Sequence, residues 1–198
     1  LDFNSPAYGA INNVTGDPTW IIPGENAVAI MGLVTAYRLT GENLYLQRAQ
    51  LAGDYLVKVQ DATNGAWYDQ YSFGAPVTNA QSLGQTAEVM MALDKLGYDL
   101  ARYGTMQKAA QFLLDNQNTA YKGGQDDGLV GGGKDSSGNY NTWRWTSDNA
   151  YAYQALNVAS TWAALRGDTS SAAQDKQAAN RILTGLNTIL IDPSGTHW

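Results

Sequence analysis

Cysteine is absent and histidine occurs once, as His197. That excludes a disulfide framework, a thiol nucleophile, a zinc finger and any histidine-based metal cluster, and it leaves the redox compartment unreadable. Charge is scarce too. Only 15% of the residues are charged, with 12 basic against 18 acidic side chains and a formal charge of −6. No stretch gathers Lys and Arg, so neither a nucleic-acid binder nor a basic membrane-surface module is expected. Long hydrophobic runs are missing: the longest, such as Ala27 to Val34, fall far short of the roughly 18 residues of a membrane span. Leu1 opens neither a signal peptide nor an initiator Met, and the chain reads as processed or excised from a longer one. Phe is rare, 3 residues beside 12 Tyr and 6 Trp, so the chain favours aromatic faces that carry a polar edge. What is present suffices for a core, because 44% of the 198 residues are apolar and that length fits one domain.

Periodicity shows one unit three times over: an almost wholly apolar segment, a short turn, then an amphipathic segment. The first unit is Asn26 to Arg38, the turn Leu39-Thr40-Gly41-Glu42, then Asn43 to Gln60 with Tyr45, Ala49, Ala52, Leu56 and Val59 on one stripe. The second runs from Gln81 through the turn Gly97-Tyr98-Asp99 to Asn116, and the third from Asp148 through Arg166-Gly167-Asp168 to Leu190. The expectation is an all-α domain over 1–198, with a loop segment at 1–24 and three consecutive antiparallel helical hairpins at about 25–60, 81–116 and 147–190. Repeated helix pairs build solenoids and toroids, here a half or incomplete toroid. The all-round apolar member of each pair is the inner helix and the striped member the outer one. Short hairpin turns make the inner helices run in the same direction, so the longer outer-to-inner connections gather at their N-terminal ends, where function is expected. Trp20, Trp67, Trp143, Trp145 and Trp198 fall in those connections, with Tyr8, Tyr68, Tyr71, Tyr121 and Tyr140. They either line a cleft or cap the core.

The run Pro23-Gly24-Glu25-Asn26-Ala27, the helix end Ala36-Tyr37-Arg38-Leu39-Thr40-Gly41, then Tyr45-Leu46, Tyr55-Leu56-Val57-Lys58-Val59-Gln60 and Gly65-Ala66-Trp67-Tyr68 resemble the six-hairpin glycosidase-like (α/α) toroids. That architecture is shared by glycoside hydrolases, polysaccharide lyases and sugar epimerases. The resemblance covers nearly the whole chain and implies that three hairpins are half of a closed ring. Gly195-Thr196-His197-Trp198 then reads as the start of the same loop as Gly65-Ala66-Trp67. It implies a carbohydrate partner, and a secreted or cell-surface location is expected.

Glycoside cleavage needs a proton donor and a second carboxylate. Asp148, opening the third inner helix behind Trp145-Thr146-Ser147, is the first candidate, although Asp also suits a helix N-terminus for its own sake. Asp69, between Tyr68 and Gln70, is the expected partner carboxylate. Glu25 is a third candidate in a first turn where an acid is favoured anyway. Glu88 lies one turn beyond Gln85 on an inner helix and is read as a buried hydrogen-bonding group between helices. Sugar contacts are expected from Trp20, Trp67, Tyr68, Tyr71, Trp143, Trp145, Gln85 and His197. The loop from Tyr121 to Tyr140 is read as covering the cleft. Its Gly128-Leu129-Val130-Gly131-Gly132-Gly133-Lys134 imitates a phosphate loop but continues with Asp135 in place of Ser or Thr, and Asp126, Asp127 and Asp135 match no calcium-loop spacing. No metal and no cofactor are expected. Asn13-Val14-Thr15 is an N-glycosylation acceptor pattern.

Two other functions compete with a glycoside hydrolase-like enzyme. One is a non-catalytic extracellular structural or glycan-binding module that self-assembles through the open edges of the half ring. The other is a terpenoid-cyclase-like toroid, because Gly53-Asp54-Tyr55-Leu56, Gln60 and Gly65-Ala66-Trp67 resemble the Gln-Trp repeat of those enzymes, echoed at Phe112-Leu113 and Gln117.

Overall fold

The computed structural model describes residues 4–12, 17, 19–119 and 128–190. Six helices form three antiparallel hairpins: α1 (Pro23–Thr40) with α2 (Asn43–Val59), α3 (Leu83–Leu96) with α4 (Leu100–Thr119), and α5 (Thr146–Arg166) with α6 (Thr169–Gly185). A π-helical turn, Leu186–Leu190, prolongs α6. Local chemistry places the boundaries. Pro23 opens α1, where its missing N–H costs nothing. Glu42, Ser82 and Asp168 cap α2, α3 and α6 by accepting from the N–H groups of Leu44, Gln85 and Ser171.

Four two-residue strands complete the described fold: β1 (Tyr71–Ser72) pairs with β2 (Ala75–Pro76), and β3 (Gln81–Ser82) with β4 (Gly133–Lys134). Nothing in the sequence periodicity announces them, since two residues are too few to show an alternation. β3 leads directly into α3 and so ties the loop before α5 to the start of an inner helix.

Helices α1, α3 and α5 pack side by side as the inner layer, while α2, α4 and α6 lie outside them. The inner layer is close because its contacts are small or flat: Ala27, Ala87, Ala92, Ala152, Ala155 and Ala159 are all fully buried. Between the layers Gly53 of α2 leaves room for the Leu96 side chain of α3. Each outer-to-inner connection then uses the same brace. Gln60 donates to the carbonyls of Gly65 and Thr105 at 2.8 and 2.9 Å, and Gln117 to those of Gly128 and Ala178 at 2.6 and 3.1 Å. Gly65 and Gly128 have φ of +80° and +75°, and a Cβ at either would strike the backbone carbonyl of Lys108 or Arg181 on the next outer helix. These positions demand glycine twice over. The Gln-Trp-like pattern is thereby accounted for as a brace between successive hairpins.

Candidate functional site

The first turns of the three inner helices follow one frame: Gly24-Glu25-Asn26 in α1, Gly84-Gln85-Thr86 in α3 and Ser147-Asp148-Asn149 in α5. The third member of each triplet is scaffolding. Buried Asn26 accepts from Ile11 N–H at 2.8 Å and donates to the carbonyls of Ile11 and Ile22. Buried Asn149 repeats this with Val130 N–H at 2.8 Å and the carbonyls of Val130 and Trp145. Each Asn satisfies a stretch of connecting backbone that the helix end would otherwise leave unpaired, and fixes that loop over the inner helix. Sequence reasoning passed over both, although the recurrence of acid-Asn-Ala at 25–27 and 148–150 was the available signal. Thr86 makes only the within-helix part, to Ser82 O at 3.0 Å.

The first member of the triplet makes room. A Cβ on Gly84 would lie 2.6 Å from Oδ1 of Asp148, and a Cβ on Gly24 would lie 2.6 Å from Oε2 of Glu88. Two inner helices thus each present a carboxylate to the bare second residue of the helix before. Asp148 is buried, at 7% exposure, and burial pushes its carboxyl up to about 6 against the pull of a hydrogen bond from Ser147. The helix N-terminus favours the anion, but loss of water outweighs it here. Burial likewise raises Glu88, helped by the charges of Asp148 and Glu25. Glu25 itself is exposed. The acid centre therefore joins Asp148 to Glu88, with Glu25 at its margin.

The expected partner, Asp69, is brought to the same helix end but is engaged: its Oδ1 accepts the Ser82 N–H at 2.6 Å. Burial raises its carboxyl while that bond lowers it. It holds the entry to α3. Gln85 has its amide oxygen on Gly24 N–H at 3.1 Å and so ties α3 to α1.

Two aromatic expectations are corrected. Trp67 is fully buried, with Nε1 donating to Leu56 O at 2.8 Å, and Tyr71 is buried with its hydroxyl on Val59 O at 2.7 Å. Neither ring has a face left for a ligand, because the 60–72 connection folds back under α2 instead of standing over the cleft. Tyr68 is half-buried and donates to Asp61 Oδ2 at 3.1 Å. By contrast Trp20, Trp143 and Trp145 are 48%, 45% and 58% exposed. Trp143 and Trp145 stand with ring centroids 4.8 Å apart, and Gly132 leaves the space that the Trp143 ring occupies. Trp145 directly precedes α5, three positions before Asp148, and Trp143 lies two residues further back. His197 and Trp198, with Tyr121, Asp126, Asp127 and the Asn13 acceptor site, lie outside the described residues. Asp135 folds its own turn, accepting from the N–H groups of Ser137 and Asn139. Among the described residues, no group of acids or histidines is arranged to hold a metal.

Among solved structures, the chain is similar to cellobiose 2-epimerase from Bacillus thermoamylovorans B4167, with a TM-score of 0.71 and 17% identity over 90% of this chain and 44% of that protein. It is also similar to a D-mannose isomerase, at 0.66 and 16% over 96% and 48%, and to a polysaccharide lyase, at 0.60 and 16% over 91% and 51%. The chain shares the helical toroid fold of these structures. It spans about half the length of those toroids, as an all-α half ring. No family model matches the chain, and no curated protein matches it in sequence. No described helix is long and apolar enough to cross a membrane.

In this half toroid the N-terminal ends of the inner helices carry two carboxylates of raised proton affinity beside an exposed pair of tryptophans. A carboxyl whose proton affinity is raised by burial can hold or pass a proton where an ordinary carboxylate stays ionised. The exposed tryptophan rings offer flat faces on which a ligand can stack.

Proposed function

We propose that the chain is a carbohydrate-active half toroid in which Asp148 and Glu88 exchange protons with a glycan stacked on Trp143 and Trp145. The observation that carries this reading is the seating of the two carboxylates on Gly84 and Gly24, with both proton affinities raised by burial and that of Glu88 raised further by the charge of Asp148. Asp148, pushed up to about 6, is the donor to the leaving oxygen. Glu88 is the partner that acts on the sugar or on water, as a pair of carboxylates does in glycoside hydrolysis. Asp69 acts as a positioning residue, fixing Ser82 and with it the first turn of α3. The names of the structural neighbours, an epimerase, an isomerase and a lyase, support a carbohydrate substrate and leave the bond change to experiment.

The test is a panel of oligo- and polysaccharides incubated with wild type, Asp148→Asn and Glu88→Gln, with products read by mass spectrometry. Addition of water marks hydrolysis, an unsaturated product marks elimination, and an isomer of unchanged mass marks epimerisation. Wild-type turnover that survives both substitutions would sink the reading. A second reading, a non-catalytic glycan-binding module, is favoured by the exposure of Trp20, Trp143 and Trp145 and of Val28 on an inner helix, at 53%. Binding without turnover by the wild type would select it.

A further inference from the structure

A concavity of about 260 Å³ opens at the loop end of the fold and is lined by polar groups from two connections. It does not belong to the acid centre. Gln81 and Lys134 are directly opposed across the β3–β4 ladder, so their side chains share one face, while Ser82 and Gly133 fall on the other. Gln81 and Lys134 both line the concavity, and Ser82 starts the helix that seats Asp148.

Its floor is a closed network. Asp61 accepts from Gln81 Nε2 at 2.9 Å and from the Tyr68 hydroxyl, and Asn64 Nδ2 donates to Gln81 Oε1 at 2.7 Å. Burial pushes the Asp61 carboxyl up, but hydrogen bonds from the Thr63 hydroxyl and N–H, with those from Gln81 and Tyr68, outweigh it and hold the carboxyl below its usual range, so the floor is a fixed set of dipoles with a stable negative charge. Lys134 forms one wall, its ammonium 4.9 Å from the centroid of the Tyr140 ring and 5.9 Å from that of Phe112. Such a contact positions a cation without using up its three donors. Asn79 and Ser137 complete the rim and are exposed.

Fixed donors and acceptors of both signs around a space smaller than a drug-sized site match the hydroxyls of one pyranose ring. The location matches as well: Lys134 is two residues beyond Gly132, which seats Trp143, so the concavity starts about 7 Å of extended backbone from the tryptophan platform. We propose that this concavity is a secondary saccharide-binding site, taking one sugar unit of a chain whose next units lie on Trp143 and Trp145. The inference rests on the carbohydrate reading above and extends the held glycan beyond the acid centre.

Cello- and manno-oligosaccharides of about two to six units, added to the full chain, test it with two separate reporters. Tryptophan fluorescence reads the platform, and the side-chain amide NMR signals of Asn64, Asn79 and Gln81 read the concavity. Both reporters should respond to the longest oligosaccharides. Asn79→Ala and Ser137→Leu, the latter filling the rim, should each weaken binding of the longest ones roughly tenfold and leave the shortest unchanged, the loss expected for one or two hydrogen bonds. Fluorescence changes with silent amides and wild-type behaviour of both variants would overturn the secondary site and leave the cleft standing. Amide shifts without any fluorescence response or turnover would overturn the shared chain and the proposed function, leaving a saccharide site independent of the tryptophans. Silence of both reporters would overturn both.

Discussion

Glu25 and Asp148 occupy the same place in two copies of one frame, yet only one of them is buried. Each is the third residue of an inner helix, each is followed by an Asn that pins the incoming loop, and each stands at a helix N-terminus that favours its anion. Asp148 lies against Gly84 of the inner helix before it and is buried, whereas Glu25 is exposed. The frame supplies position, and the neighbouring helix supplies the environment that alters proton affinity. In the second copy the place is held by Gln85, whose amide ties α1 to α3, while the acid has moved one turn on to Glu88.

The largest expected effect separates the two acids by function. Asp148→Asn should lower turnover about 10²- to 10⁴-fold with glycan binding retained, as for loss of a general acid, and Glu25→Gln should change it little. Equal losses in both would erase the distinction drawn here. Because Asp148 has a folded-state proton affinity above its unfolded one, it contributes most stability at low pH and loses that contribution as pH rises from its ordinary 3.8 through about 6. Asp148→Asn should therefore be more stable than wild type at neutral pH, a gain in stability tied to a loss of activity.

The scaffolding half of the comparison predicts sameness. Asn26→Ala and Asn149→Ala each remove a buried amide that serves one N–H and two carbonyls, and each should cost roughly 1–3 kcal/mol in urea unfolding. A large difference between them would break the equivalence of the two helix ends. A smaller effect is expected from Gly84→Ala. The new methyl group would stand 2.6 Å from Oδ1 of Asp148 and push the carboxylate aside, shifting the acid limb of the pH–rate profile with little change in unfolding. The smallest is remote from the site. Asp175 on α6 is buried with Oδ2 unpartnered, and burial with the charge of Asp168 pushes it up to about 7. Its contribution is lost as pH rises from 3.8 through about 7, so Asp175→Asn should raise the melting temperature above that pH and have little effect below about pH 4.

The hairpins, the division into inner and outer helices and the face that gathers the connections were all legible, because 3.6-residue periodicity and short turns carry that information in the residues themselves. Asp148 was legible for the same reason: it opens a helix. The seating of Glu88 on Gly24 and of Asp148 on Gly84 was not legible, because each is a contact between helices far apart in sequence. Trp67 and Tyr71 were misplaced because a connecting loop gives no periodic sign of folding under the outer helix; only their hydrogen bonds to Leu56 and Val59 show it. Trp145 is the residue before α5 and Trp143 stands two residues earlier, so their place in the chain was fixed by the helix start.

The direct test of the central claim is a carboxyl NMR titration of Glu25, Glu88 and Asp148 in the full chain, assigned with Glu25→Gln, Glu88→Gln and Asp148→Asn. The account predicts that Asp148 titrates near 6 and Glu88 above its ordinary 4.5, and that removing the charge of Asp148 moves Glu88 downward. Ordinary values for both, with no change in either when the other is removed, would contradict it.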